Sequence, residues 1–174
     1  KGEPLIRYLI LISKIPGIFS MGGDLALFST LIRHKNRKKL LDYATQCIDT
    51  LYLNSVNLQL PITTISLVEG TALGGGFECA LSSNIVIATE NAEMGFPEIM
   101  FNLFPGMGAF SFVSRKLNAK MAEKIILSGK LYLAEELHEM GLIDVLAEKG
   151  EGERAVYEYI RKENRARNGT RALR

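Results

Sequence analysis

Residues 72–110 read ALGGGFECALSSNIVIATENAEMGFPEIMFNLFPGMGAF, and the order of residue types in this stretch decides the fold class. The β-branched run at 62–68 ahead of it predicts a strand. Residues 69–76 then read as a glycine-rich turn, and 76–82 predict a helix. Ile85-Val86-Ile87-Ala88 predicts a second buried strand. Residues 92–105 hold Met94-Gly95-Phe96-Pro97-Glu98 and Pro105-Gly106, so they are expected to be irregular. The triplet Gly74-Gly75-Gly76 lets the backbone approach a ligand closely and reach positive φ. N–H groups at a helix start have no intrahelical acceptor and carry positive partial charge. Such a junction holds a phosphate or a developing oxyanion, and it serves equally as a tight turn between strand and helix. Phe19-Ser20-Met21-Gly22-Gly23-Asp24 is a similar junction earlier in the chain. Two such junctions are able to present one N–H each to the same oxygen, which is what stabilising a developing oxyanion requires.

Two carboxylates lie in the same stretch. Glu78 sits among Phe77, Cys79, Ala80 and Leu81, and Glu98 lies between Pro97 and Ile99-Met100-Phe101. A carboxylate in apolar surroundings tends to hold its proton more tightly, which turns it into an acid–base group near neutral pH. Glu123, Glu135, Glu136 and Glu153 have surface contexts and make no such claim.

Further out, residues 5–12 (LIRYLILI) predict a buried strand that turns at Pro16-Gly17. A chain opening so close to a core strand is expected to lack earlier strands. Residues 24–32 predict a helix capped by Asp24, and 37–56 a longer one. The basic run Arg33-His34-Lys35-Asn36-Arg37-Lys38-Lys39 is read as a loop. Helices are expected at 107–116, 119–128 and 133–140, a short strand at 142–146, and a charged helix from 150 to about 166. Strands alternating with helices imply parallel pairing through crossovers. The class is therefore α/β, with residues 1–115 as core and 116–174 as a helical C-terminal portion.

With 174 residues, 47% hydrophobic and 23% charged, the chain is long and apolar enough to bury one sizeable core. A net charge of +2 does not point to nucleic acid. Cys47 and Cys79 form neither a disulfide framework nor a metal spacing and read as buried thiols of a reducing compartment. Residues 5–12 are too short for a membrane span and lack a signal-peptide order, so a cytoplasmic location is expected. His34 falls in the basic run and His138 on an amphipathic helix, and no Ser–His–Asp arrangement stands out.

The motifs in combination resemble the crotonase (enoyl-CoA hydratase/isomerase) superfamily: FSMGGDLALF at 19–28, GGGFE at 74–78, and a PE pair whose Glu98 comes twenty residues after Glu78 (98 − 78). The likeness runs from about residue 8 to 166. It implies a ββα spiral and acid–base chemistry on an acyl thioester, with no metal or redox cofactor. It places the two oxyanion N–H groups on Gly23 and Gly75 and the catalytic glutamates on Glu78 and Glu98. Glu98 is expected to remove the α-proton while Glu78 protonates the departing hydroxyl. Substrate contacts fall on Met21, Gly22, Gly74, Leu103 and Phe104, with Phe101, Met107, Phe110 and Phe112 as further candidates for an acyl tunnel.

Within the superfamily the chain most resembles the diffusible signal factor synthases. The carriers are FECALSSNIVIA at 77–88, AEMGFPEIMFNLFPGMGAFSFVSRK at 92–116 and SGKLYLAEELHEMGLIDVLAEKGEGE at 128–153. That likeness implies dehydration of 3-hydroxyacyl chains on acyl carrier protein to cis-2-enoyl chains, then thioester hydrolysis to release a fatty-acid signal. It also implies a homotrimer or dimer of trimers; the charge of the basic run 33–39 suits either a solvated loop or a surface that receives the acidic carrier. The family has a further strand unit before residue 5 and further helix after 174, so truncation at both ends is expected. Two alternatives stay open: an ordinary CoA-dependent hydratase or isomerase of fatty-acid oxidation, and a truncated fragment that trimerises or binds acyl chains without turnover.

Overall fold

In the computed structural model, which describes residues 6–172, the apolar runs pair into two four-stranded sheets. The first contains β1 (Tyr8–Ile12), β3 (Thr63–Val68), β5 (Ile85–Thr89) and β8 (Val145–Ala147), in the order β1-β3-β5-β8 and all parallel. The second is built of three-residue strands: β2 (Ile18–Ser20), β4 (Thr71–Leu73), β6 (Glu93–Gly95) and β7 (Leu131–Leu133). β2, β4 and β6 run parallel, and β7 is antiparallel to β6. Each of β1, β3 and β5 thus hands the chain to a short strand of the other sheet, and helical structure follows. The helices are α1 (Leu25–Arg33), α2 (Arg37–Ser55), α3 (Gly75–Leu81), α4 (Ala109–Lys116), α5 (Ala119–Ser128), α6 (Ala134–Glu139) and α7 (Gly152–Ala172). This repeated ββα turn is the crotonase-like spiral.

Strand alternation divides the first sheet's side chains between two cores. Ile65, Leu67 and Ile87 meet Val156 of α7 on one face. Val68, Val86 and Ala88 join Phe77, Ala80 and Leu81 of α3 on the other, continuous with Ile125, Ile126 and Leu137. Loop polar groups pin the strand ends. The Asn84 and Thr64 backbone and side chains exchange hydrogen bonds of 2.9–3.2 Å. Asp144 Oδ2 accepts from the Val86 N–H at 2.7 Å and pairs with Lys116.

Most expected elements are present, and Asp24 does cap α1, its Oδ1 accepting from the Leu27 N–H at 2.8 Å. Several expectations need correction. β1 is the end strand of its sheet rather than a buried one, with Leu9, Ile10 and Leu11 each about two-fifths exposed (41%, 39% and 38%). The glycine-rich turn contains β4, and the segment expected to be irregular contains β6 and a 3₁₀ turn at Pro97–Phe101. The strand expected at 142–146 begins at Val145, while Leu142 and Ile143 are core side chains. Arg37, Lys38 and Lys39 open α2 instead of closing a loop. Cys47 and Cys79 are half-buried. The boundary expected at 115 falls in the last turn of α4, and β7 and β8 from beyond it complete the two sheets.

Candidate active site

Parallel register brings the two glycine junctions side by side. Ser20 of β2 pairs with Ala72 of β4, so Gly23 and Gly75 each stand three residues past a paired position (23 − 20 and 75 − 72). The proximity is close in space: a Cβ built on Gly75 would lie 3.7 Å from the Gly23 nitrogen, and one built on Gly22 only 3.2 Å from the Gly75 nitrogen. Gly22, at φ +84°, would also drive a Cβ to 2.8 Å from the Leu73 carbonyl oxygen, so only glycine fits there. Gly75 opens α3, where helical pairing supplies no acceptor. Neither its N–H nor that of Gly23 has a hydrogen-bond partner among the described residues. Two free donors therefore face one small volume. The segment after Gly23 is tied down by the Asp24 N–H, which donates to Tyr43 Oη at 3.1 Å, and by Phe28 packed edge-on against the Tyr43 ring.

The carboxylates arrive by the same device. Leu73 of β4 pairs with Gly95 of β6; Glu78 and Glu98 follow these partners by five and three residues (78 − 73 and 98 − 95). Phe77 and Phe96 stack at 4.9 Å and lock the two acid-bearing segments together. Glu78 is 1% exposed. Its Oε1 accepts from the Met107 and Ala109 N–H groups at 2.8 and 2.9 Å. Burial raises the Glu78 pKa above its ordinary value; the Ala109 and Met107 N–H groups oppose that rise, and the nearby Glu98 charge adds to it. Glu98 is likewise raised by burial, and its Oε2 is buried with no hydrogen-bond partner among the described residues. Its carboxylate lies against Gly74, where any Cβ would collide with Oε1. Gly74 also sits at φ +51°, a second reason for glycine at this point. These are two acids with elevated proton affinity, one held by the Met107 and Ala109 amides and the other with one buried oxygen left without a partner among the described residues.

The donor pair borders a cavity of about 270 Å³, lined by Ser20, Gly22, Gly23, Gly75 and Met107, and across from them by Tyr43, Gln46, Cys47, Thr50 and Leu51. The Met107 methyl covers Gly75 so closely that a Cβ there would strike it. Of the sequence-expected contacts, Gly22, Gly23, Gly74, Gly75, Glu78 and Glu98 come together. Gly22, Gly23 and Gly75 line the cavity itself, whereas Gly74, Glu78 and Glu98 are joined to that lining through the Glu98–Gly74 and Glu78–Met107 contacts. Met21, Leu103 and Phe104 are 58%, 58% and 62% exposed. His34 Nδ1 contacts the Thr30 carbonyl and His138 Nδ1 the Ile143 carbonyl, both far along the chain from the site. Sequence reading missed the Met107–Ala109 amides that hold Glu78; Gly106 and Gly108 around Met107 were the available sign of a tight, ligand-like loop.

The family model for enoyl-CoA hydratase/isomerase matches residues 1–172. This chain belongs to the enoyl-CoA hydratase/isomerase family. Among curated proteins of the family, mouse mitochondrial methylglutaconyl-CoA hydratase is 32% identical over 158 residues, covering 89% of this chain and 48% of the relative. A probable mitochondrial enoyl-CoA hydratase 2 of Arabidopsis thaliana is 30% identical, covering 91% of this chain and 50% of the relative. The chain thus spans about half the length of the curated relatives it matches. Among solved structures, an enoyl-CoA hydratase from Bacillus anthracis superposes with a TM-score of 0.81 at 27% identity, over 90% of this chain and 58% of that one. Pseudomonas aeruginosa DspI gives 0.74 at 26%, over 90% and 57%. Among the described residues no helix is long and apolar enough to cross a membrane.

Proposed function

We propose that the protein interconverts 3-hydroxyacyl and 2-enoyl thioesters, with Glu98 and Glu78 as proton carriers and the Gly23 and Gly75 amides as the oxyanion hole. The observation that carries this reading is the meeting of two acids of raised proton affinity with two unpartnered amides at the ends of neighbouring parallel strands. In the dehydration direction, the thioester oxygen accepts from both amides as negative charge develops on it. Glu98, in its ionised form, takes the α-proton. Glu78, protonated, gives its proton to the β-hydroxyl, the C–O bond breaks and water leaves. Hydration reverses each step. Burial raises the proton affinity of both carboxyls, the direction that moves such a group toward general acid–base work.

The finer reading follows the likeness to diffusible signal factor synthases: a 3-hydroxyacyl chain on acyl carrier protein becomes a cis-2-enoyl chain and is hydrolysed to a free acid in the cytoplasm. The fold relationship to DspI and the exposed basic residues around the α1–α2 junction support it. A second reading, a CoA-dependent hydratase of acyl breakdown, is favoured by the methylglutaconyl-CoA hydratase and enoyl-CoA hydratase relatives. A homotrimer is proposed for either. Mass spectrometry of products from 3-hydroxyacyl-carrier-protein and enoyl-CoA substrates separates the two. Free cis-2-unsaturated acid supports the first, and 3-hydroxyacyl-CoA supports the second. Equal, near-zero turnover by the wild type, Glu78→Gln and Glu98→Gln would leave only a binding or assembly role.

A further inference from the structure

A second groove, of about 500 Å³, begins where the first cavity ends, and Met107 lines both. We propose that it seats the distal part of an acyl chain ending in a carboxylate, and that Arg115 selects that end; this rests on the thioester reading above. The groove combines apolar walls, Ile48 and Phe112, with the polar groups of Tyr52, Ser111 and Arg115. Ser111 and Arg115 are four residues apart on α4, hence on one helix face. Arg115 follows Ala109 by six residues (115 − 109), about 9 Å along the helix axis, too far to serve the thioester carbonyl and well placed for a chain end.

The chemistry of that polar lining fits an anion. No Asp or Glu lines the groove, and Arg115 makes no ion pair among the described residues. Its guanidinium rests over the Phe112 ring at 5.9 Å, which orients the fork while leaving its donors open to a two-oxygen partner. The Ser111 and Tyr52 hydroxyls also have no hydrogen-bond partner among the described residues. The contrast with the groove between β8 and α7 is instructive. That groove also carries cations, Arg154 and Lys162, but Glu148, Glu151 and Glu158 line it too, and Arg154 is paired with the last two. Met107 is the natural partition between the cavities, since an unbranched thioether side chain re-packs at low cost when a chain must pass.

The same cation would also attract a phosphate of the thioester carrier, so the test separates the two sources. Enoyl thioesters of equal length, ending in methyl or carboxylate, are compared on the full chain as CoA thioesters and as phosphate-free N-acetylcysteamine thioesters. In the wild type the carboxylate end should be preferred on both carriers. Arg115→Gln should lower the carboxylate-to-methyl ratio of kcat/KM about tenfold, mainly through KM, as loss of a charge-assisted pair implies. Arg115→Lys should restore part of it. An unchanged ratio overturns the proposal, and so does a loss confined to CoA thioesters, which would assign Arg115 to carrier phosphate. If the wild type turns over neither substrate, the acid–base reading falls by itself. The dissociation constants of the two thioesters then decide the Arg115 proposal in the same way.

Discussion

The α7-covered face of the β1-β3-β5-β8 sheet and the seam at the ends of β2, β4 and β6 are made by the same ββα turns, yet they obey opposite rules. On the covered face, Ile65, Leu67 and Ile87 are at most 1% exposed and meet Val156 with no ionisable group among the buried members. At the seam, Glu78 is as deeply buried as those aliphatics, Glu98 leaves a buried oxygen unpaired, and two amides lack acceptors. Parallel strands position both regions equally well. What differs is that the first spends its burial on stability, whereas the second keeps polar groups poised at a cost in stability.

That contrast can be broken experimentally. The largest effect is expected at the acids: Glu78→Gln or Glu98→Gln should lower turnover by about 10²–10⁴-fold, the range for loss of a general acid or base, with the fold retained. Steady-state kinetics alongside circular dichroism measures both. Gly75→Val should lower kcat by about 10²–10³-fold, because the new side chain and the displaced Met107 methyl crowd one of the two oxyanion donors. The covered face should behave in reverse. Leu67→Ala should cost about 2–5 kcal/mol of unfolding free energy in a denaturant titration, while kcat of the folded fraction holds.

The smallest effect sharpens the comparison through pH. Burial raises the Glu98 carboxyl above its ordinary value of 4.5. Between 4.5 and its raised value the folded state binds more protons than the unfolded state, so wild-type stability falls as pH rises through that window. Glu98→Gln removes the dependence. Its stability should match the wild type's below the ordinary carboxylate range, up to a constant offset, gain on it as pH rises through that window, and hold that gain above it. Denaturant titrations between pH 4 and pH 7 measure the difference. A gain that shrinks with rising pH would mean that the charge is compensated.

Much of the site was legible before the structure because its residues announce themselves locally. Gly74-Gly75-Gly76 with Glu78, and Pro97-Glu98 in an apolar segment, are unusual pairings of backbone freedom and charge. What was not legible depends on partners distant in sequence. β4, β6 and β7 have three residues each, too few for alternation to show, and exist because Ala72 meets Met94 and Gly95 meets Leu131. The apolar run of β1 reads as a core strand, and among the described residues it has a paired neighbour, β3, on one side. Leu103 and Phe104, substrate contacts by family likeness, are 58% and 62% exposed among the described residues. The hold on Glu78 comes from backbone N–H groups, whose placement no side-chain pattern reports.

The most direct measurement is a structure of the protein with a non-reactive acyl thioester bound. The carbonyl oxygen should lie about 2.7–3.1 Å from both the Gly23 and Gly75 nitrogens, with the α-carbon facing Glu98. A thioester seated with its oxygen out of reach of either amide, or with the α-carbon turned away from both glutamates, would contradict the account.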